Sequence, residues 1–504
     1  MQTPYSFSMR ISFLMLLSLV VSGCAVGPVY KKPDVPLPAS WQAMQPHEGK
    51  INTLIGWWDQ FHDAALTTLL RAAENDSPTL MQAWARITEA RASLTSKQAS
   101  GWPSVTGQAS LIRSSSNVGG GGFGASGVAP SATSTSNSSD TLLSTTQSVA
   151  IDASWEIDLF GSVRYATQAA QALVDARMDN WHEARVSLAA EVATTYVNYR
   201  ACQLQVTYYI NDMRSRQETA RLIEKAAKAG FSSPSDAALG QASAASASAL
   251  LINQQAQCDI TLKSLVALTG LSEIEVNEVL SKTPAKLPTP STFSITTLPV
   301  TLISQRPDLA AAERALAAAS ADVGSAEANR YPRLSLTGSI SSLQLTTLGS
   351  TIHSTPWSFG PALTLPIFDA GLRAANVRAA EARYEQALAT YKQAVRNAVK
   401  EVEQALVQLS SLTRRENDVR TAAKHYRTVY KATEINWRAG GSSLLFLEDT
   451  RRSLIAADMN LITLQRDQIQ NWIVLYKALG GGWRERSATP VVDSPASTSL
   501  PGEK

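Results

Sequence analysis

Side chains that carry chemistry are scarce in this chain. It holds three cysteines and five histidines in 504 residues, without a CxxC pair or a Cys/His spacing suited to a metal. P-loop and GxSxG elements are absent. Gly122-Phe123-Gly124-Ala125-Ser126-Gly127 matches GxGxxG literally, but it lies in a Gly/Ser stretch with no βαβ context and carries no nucleotide site. No enzymatic activity, cofactor or metal is expected. Charge is also sparse: 45 Lys+Arg stand against 42 Asp+Glu, a net +3, and charged residues make up 17%, below the usual quarter. The basic residues of the helical stretches alternate with Glu and Asp and read as solvated faces, so no nucleic-acid partner is expected.

Glycine and proline are missing where it matters most. Ser162 to Ala229 and Leu372 to Ala439 each run 68 residues without either. At 1.5 Å per residue each is a helix about 100 Å long. Such a rod needs coiled-coil partners. The two stretches belong to a duplication. Ser77-Pro78 and Trp102-Pro103 bracket an Ala-rich stretch, and Arg306-Pro307 and Tyr331-Pro332 bracket another at an offset of 229. Trp155 to Gly161 corresponds to Leu363 to Asp369, Ala229-Gly230-Phe231-Ser232-Ser233 to Ala439-Gly440-Gly441-Ser442-Ser443, and Leu268-Thr269-Gly270 to Leu479-Gly480-Gly481. A unit of about 210 residues is too long for a solenoid and reads as a doubled structural half. Each long stretch is followed by a Gly-Ser turn, at Gly230 and Gly440, where glycine accepts a left-handed backbone. Returning helices then run Pro234 to Leu268 and Leu444 to Leu479.

The N-terminus reads as an export signal: Arg10, then a mostly apolar run from Ile11 to Val21 that is too short to span a bilayer. Val21-Ser22-Gly23-Cys24 resembles a bacterial lipobox, which implies cleavage before Cys24 and acylation of it. The other cysteines, Cys202 and Cys258, lie 28 residues either side of Gly230. Two readings stand, a disulfide between the hairpin arms or two small buried apolar residues; the second is the plainer one.

Strands lie between the short and long helices. Val149, Ile151, Ala153, Trp155, Ile157 and Leu159 alternate with Ala150, Asp152, Ser154, Glu156 and Asp158. Trp357 to Ile367 repeats the pattern, and Val105 to Arg113 and Leu334 to Leu345 are weaker partners. Period-two alternation of this length fits transmembrane strands, apolar toward lipid and polar toward a lumen, with Asp152, Glu156 and Asp158 inside. Ser114 to Asp140 is a low-complexity Gly/Ser/Thr loop. Four strands cannot close a barrel, and open edges are not tolerated in lipid, so several chains must share one barrel.

The segments Cys24-Ala25-Val26-Gly27-Pro28-Val29-Tyr30-Lys31-Lys32-Pro33, Trp57-Trp58-Asp59-Gln60-Phe61, Trp155 to Gly161, Arg306-Pro307-Asp308-Leu309-Ala310-Ala311-Ala312-Glu313-Arg314 and Leu365-Pro366-Ile367-Phe368-Asp369 carry a family resemblance. In order and spacing, over about residues 24 to 483, the chain resembles the TolC-type outer-membrane efflux proteins, and most closely their OprM-like (NodT) lipoprotein branch. The resemblance implies an α+β membrane protein. Long α-helical hairpins would form a periplasmic α-barrel, and four β-strands per chain would contribute to a trimeric 12-stranded transmembrane β-barrel. It implies a lipid-anchored outer-membrane exit duct of a tripartite system that exports small toxic compounds. The chain would form a homotrimer, and its partners would be a periplasmic adaptor, an inner-membrane RND-type or related pump and outer-membrane lipid. The mature chain has no methionine cluster, which weakens the case for a copper or silver relay and leaves metal-efflux partners open. Rival readings are a type I protein-secretion channel and a non-conducting coiled-coil lipoprotein that tethers envelope layers.

In that family the periplasmic tip is constricted by side chains near the turn glycines. The pattern falls here on Asp236 in the first half and on Trp437, Ser442, Phe446 and Asp449 in the second. Ser442 stands where a basic residue can occur and Phe446 where an acid can, which implies an apolar constriction with Asp236 and Asp449 adding cation-attracting rings. The alternative is that Phe446 and Trp437 are coiled-coil knobs and the aspartates lie on solvated faces. The expected divisions are a signal peptide (1–23), an N-terminal equatorial segment (24–76), a first repeat (77–270), an equatorial connector (271–305), a second repeat (306–481) and a C-terminal tail (482–504).

Overall fold

The computed structural model of the protein describes residues 26–36, 38, 41–43, 57–117, 141–288, 305–347 and 349–481. Cys24 lies outside them, as do the tip of the first strand hairpin and the C-terminal tail. Among the described residues, a short 3-10 turn (Trp57–Phe61) leads into α1 (Ala64–Asp76) and α2 (Pro78–Ala99). Strands β1 (Ser104–Asn117) and β2 (Thr141–Ile157) then precede α3 (Ser162–Lys228), α4 (Pro234–Thr269) and α5 (Glu273–Ser281). The order recurs as α6 (Pro307–Ala328), β3 (Arg333–Thr347), β4 (Ser350–Ser354), β5 (Trp357–Thr364), α7 (Leu372–Arg438) and α8 (Leu444–Ala478). The two long helices α3 and α7 are each 67 residues. By contacts the chain divides into two units, and each repeat contributes to both. The first comprises Met1–Lys32, Glu89–Val174 and Ala315–Ala387, and the second Pro33–Thr88, Asp175–Arg314 and Leu388–Lys504.

The first unit holds the sheet. It is antiparallel throughout, in the order β1-β2-β3, with β4 and β5 both paired to β3. The fourth strand position is filled by β4 and β5, with a break at Thr355-Pro356 between them; the strand expected from Trp357 to Ile367 starts as expected and ends at Thr364, because Pro366 has no N–H to offer a ladder. The Pro356 carbonyl still accepts from the Ser341 N–H at 3.0 Å, so pairing carries across the break. At the foot of the sheet, Ser162 Oγ donates to Asn329 Oδ1 at 3.1 Å and Phe160 stacks on Tyr331, 4.8 Å between centroids. Ala169, Ala318 and Ala321 form a small-residue core that lets α3 and α6 approach closely.

The second unit is built on helical hairpins. In α7 the buried residues Tyr391, Val395, Ala398, Val402, Ala405, Leu409 and Leu412 recur in alternating steps of four and three, a coiled-coil seam. Cys202 on α3 and Cys258 on α4 are joined by a disulfide, with Cα atoms 5.6 Å apart. The plainer reading of these cysteines is therefore corrected: both are buried, and they are also bonded. The second repeat has buried Leu412 and Ile469 at the corresponding offsets of 210 and 211, so an apolar pair takes the place of the bridge.

Three motifs of the sequence find their reasons here. Trp57 is 2% exposed and stacks on Tyr476 at 4.6 Å, which fixes the 3-10 turn to the end of α8. Arg306 is buried; it donates to the Ala478 carbonyl at 2.8 Å, closing the C-terminus of α8, and pairs with Asp308 (2.8 Å) and Glu401 (2.9 Å). Its arrangement ties α6, α7 and α8 together at one point. The connector after Gly270 holds a helix that the reading of the sequence missed, α5, started by a capping box between Ser272 and Glu275.

Candidate functional site

Two surfaces have the character of functional sites. The first is the sheet. Register places Val105, Ala109 and Leu111 of β1 on one face with Val149, Ile151, Ala153 and Trp155 of β2. Ile151 lies opposite Ile340, and Trp155 opposite Leu336. Ile340 lies opposite Trp357, and Leu334 opposite Leu363. This apolar band crosses β1, β2, β3 and β5 and is left open, with Val105 68%, Trp357 75% and Phe359 70% exposed; toward the far end of the strands the same face turns polar at Arg113, Gln147 and Gln344. The other face is hydroxylic. Ser104 bonds Ser154 at 2.9 Å, Ser110 bonds Ser148 at 2.8 Å, and Ser339 bonds Ser358 at 2.8 Å. Asp152 sits on this polar face between Thr106 and Ser339, and Glu156 sits opposite Ser335. Asp158 follows the last residue of β2, and its Oδ2 accepts the Arg164 N–H at 2.9 Å, capping the start of α3. No described helix is long and apolar enough to cross a membrane.

The second surface is the pair of hairpin tips. Gly230 (φ 83°) and Gly440 (φ 79°) end α3 and α7 in the left-handed region. At each tip the hydrogen bonds are the same: Gly230 N to Ala227 O and Phe231 N to Ala226 O, Gly440 N to Trp437 O and Gly441 N to Asn436 O. This is the Schellman pattern, and it satisfies the last carbonyls of each helix. Ser233 and Ser443 then cap α4 and α8. Behind the turns Ile223, Leu444 and Leu447 form a core with Ala237, Leu239, Tyr430 and Trp437 packed on it. Trp437 is therefore a packing residue between the hairpins. Phe446 is 53% exposed. Asp449, one turn further on α8, has a 68% exposed side chain with Arg452 at 3.9 Å. Asp236 is half-buried and accepts from Ser233 Oγ at 2.8 Å, and Ser442 is half-buried.

Further along the same helices lies a charged cluster that the sequence hid. Asp212, Arg216, Glu448 and Arg451 have side chains only 5%, 13%, 5% and 3% exposed. Arg216 reaches Asp212 and Glu448, each at 2.9 Å, and Ser243 Oγ donates to Glu448 at 2.5 Å. Arg451 pairs with Glu448 and donates to Tyr430, Ser215 and Thr219, each at 3.2 Å. Burial pushes the Asp212 carboxyl up from its ordinary value, against the pull of Arg216. Reading all the charges of these helices as solvated faces is corrected here. The signal was out of reach, because the bonding partners are up to 236 residues apart.

A sheet with an apolar band on one face, in a chain that also holds doubled helical hairpins, has the make-up of a membrane channel of mixed α+β architecture. The outer membrane efflux protein family matches residues 69–271 and 298–481 of the chain, which belongs to that family. Outer membrane protein OprJ of Pseudomonas aeruginosa is 31% identical over 480 residues, covering 94% of this chain and 95% of OprJ. The cation efflux system protein CusC of Escherichia coli K12 is 30% identical, covering 92% of this chain and 98% of CusC. The solved structure of the outer-membrane channel OprN superposes with a TM-score of 0.76 at 28% identity, over 91% of this chain and all of OprN. The protein is an outer-membrane efflux channel.

Proposed function

We propose that three copies of this chain form the exit duct of a tripartite efflux system, passing small toxic organic compounds from the periplasm to the exterior. The observation that carries the reading is the sheet with an apolar band on one face whose outer strands, β1 on one side and β4 with β5 on the other, have no further strand partner among the described residues. In lipid such edges must be paired. Pairing β1 of one copy with the outer strand of the next gives twelve strand positions for three chains, above the smallest closed bacterial barrels of about eight. Asp152 and Glu156 then face the lumen. A coiled-coil tether has no use for such a face. The energy for transport belongs to an inner-membrane pump, reached through a periplasmic adaptor that meets the hairpin tips. CusC is named for cations. The mature chain here has no methionine cluster, which weakens the case for a copper or silver relay.

At the tip, three copies of Phe446 would narrow the duct, with Asp449 and Asp236 adding rings of negative charge and Trp437 and Ser442 supporting the turn. Cys24 would carry the acyl anchor in the outer membrane. The experiment is single-channel recording of the purified assembly in a planar bilayer. A steady ion conductance that rises when Phe446 and Asp449 are both replaced by Ala supports the duct and its constriction. An assembly that inserts but does not conduct overturns the reading.

A further inference from the structure

The polar face of the sheet does not stay polar to its far end. From the foot upward its rows hold Ser104, Ser154 and Thr337, then Thr106, Asp152, Ser339 and Ser358, then Gln108, Ala150 and Ser341. Two rows further on the chemistry changes. Ile112 lies opposite Thr146, Thr146 opposite Leu345, and Leu345 opposite Ile352, with Leu343 one row nearer the foot. The row beyond, Ser114, Ser144, Thr347 and Ser350, is hydroxylic again. Ile112 is 56% and Ile352 63% exposed, so no described residue covers them. The opposite face is inverted at the same level: Gln147 lies opposite Gln344, Gln344 opposite His353, and Arg113 follows Ile112. From Asp152 to Thr146 along β2 is a rise of about 20 Å.

A strand between lipid and a wet lumen carries apolar groups outward and polar groups inward. Here both are reversed, so contact with the bilayer does not account for the apolar row. A plain wet wall would continue the Ser and Thr of the neighbouring rows. The helices α2, α3, α6 and α7 adjoin the foot of the sheet in the chain, so with the hairpins in the periplasm the far end opens to the exterior. We propose that Ile112, Leu345 and Ile352 form an apolar collar inside the exterior mouth, which binds the apolar body of lipophilic organic cations as they leave. The collar rests on the trimeric duct proposed above, in which each chain brings these three side chains to one level. Charge on the same face selects the sign of the ligand. Asp152 and Glu156 stand against one base, Arg333 at the first residue of β3, and no other Asp, Glu, Lys or Arg lies on that face among the described strand residues. Two acids less one base leave one net negative charge per chain. A lipophilic cation is drawn by the acids and meets the collar about 20 Å further on. Apolar contact has no fixed direction, so the collar can hold ligands of many shapes and still release them.

The test is single-channel recording of the purified full-length assembly with tetraphenylphosphonium or tetramethylammonium added, reading the dwell time of partial current blocks. In the wild type, tetraphenylphosphonium should dwell about tenfold longer or more, because only it carries an apolar body. Ile112→Thr, Leu345→Thr and Ile352→Thr together keep residues that suit a strand. They should shorten the tetraphenylphosphonium dwell by about tenfold, equivalent to roughly 55 Å² of apolar contact, and leave the tetramethylammonium dwell as it was. Ile352→Thr alone should shorten it by about twofold, a third of that effect in free energy, and it reads the collar where native mass shows that the triple variant does not assemble. Arg113→Gln, at the same level on the outward face, should change neither dwell. Equal dwell of the two cations in the wild type overturns the collar. An unaltered tetraphenylphosphonium dwell in the collar variants overturns it as well, all the more if Asp152→Asn alone shortens the blocks. An assembly that inserts without conducting overturns the duct reading itself, and the collar with it.

Discussion

Replacing Glu448 with Ala tests how the two hairpins of one protomer are held together. The carboxylate accepts from Arg216 at 2.9 Å, from Ser243 at 2.5 Å and from Arg451, and it is 5% exposed. Its loss leaves Arg216 with Asp212 and leaves Arg451, 3% exposed, with hydroxyl partners only. Removing one partner of a buried pair costs about 3–5 kcal/mol, because the remaining charge stays desolvated. Replacing Glu448 and Arg451 together with Leu and Met removes one charge of each sign. That double change should fall within about 1 kcal/mol of wild type, since a well-packed apolar pair replaces an ion pair at little cost. The assay is denaturant unfolding in detergent followed by helical circular dichroism, arranged as a double-mutant cycle with Arg451→Met and Glu448→Leu. With each single change costing about 3–5 kcal/mol and the double change about 1 kcal/mol, a coupling energy of at least about 5 kcal/mol is expected. Additivity within about 0.5 kcal/mol would refute the claim that the cluster acts as one neutral unit.

Other consequences follow from single features. Gly440→Ala meets no neighbouring atom but must hold φ near 79°, so it should cost about 1–2 kcal/mol in hairpin stability, read by the same unfolding assay. The Cys202–Cys258 bridge should appear as one linked peptide pair in a non-reducing digest, and Cys202→Ala with Cys258→Ala should cost up to about 4 kcal/mol for the 56-residue separation. Asp458 is raised above the ordinary 3.8 by burial, which Arg427 opposes. A carboxyl that takes its proton more readily when folded costs stability at neutral pH and returns it as pH falls toward 3.8. Asp458→Asn should therefore gain most over wild type near neutrality, with unfolding midpoints that converge as the solution is acidified.

What the sequence disclosed and what it hid divide along physical lines. The long helices were legible because 68 residues without Gly or Pro leave the chain no place to turn, and their ends because Gly230 and Gly440 supply the left-handed residue a helix stop uses. The apolar band of the sheet was legible in β2, where alternation is strict from Val149 to Ile157, and weak in β1, where Gly107 leaves a gap and Ile112 and Arg113 reverse the order; only register shows that the band continues across the strands. The short strand β4 was not legible, because Ser350–Ser354 holds a single large apolar side chain, Ile352, and no run of alternation. The helix at Glu273–Ser281 was hidden inside a Pro-rich connector, although Ser272 and Glu275 spell its cap. Nothing in the order of residues joins Asp212 to Arg451, because that pairing is a product of the fold. Among the residues expected at the tip, Phe446 and Asp449 are exposed together on α8, whereas Trp437 is drawn into the packing between hairpins.

The central claim is that one chain supplies only part of a barrel. Its most direct test is the native mass of the mature protein extracted from outer membranes in mild detergent. A single species of three protomers is the expected result, since the open edges at β1 and β5 can then close on one another. A folded, membrane-extracted monomer would contradict the account, because its sheet would expose unpaired backbone to lipid on both edges.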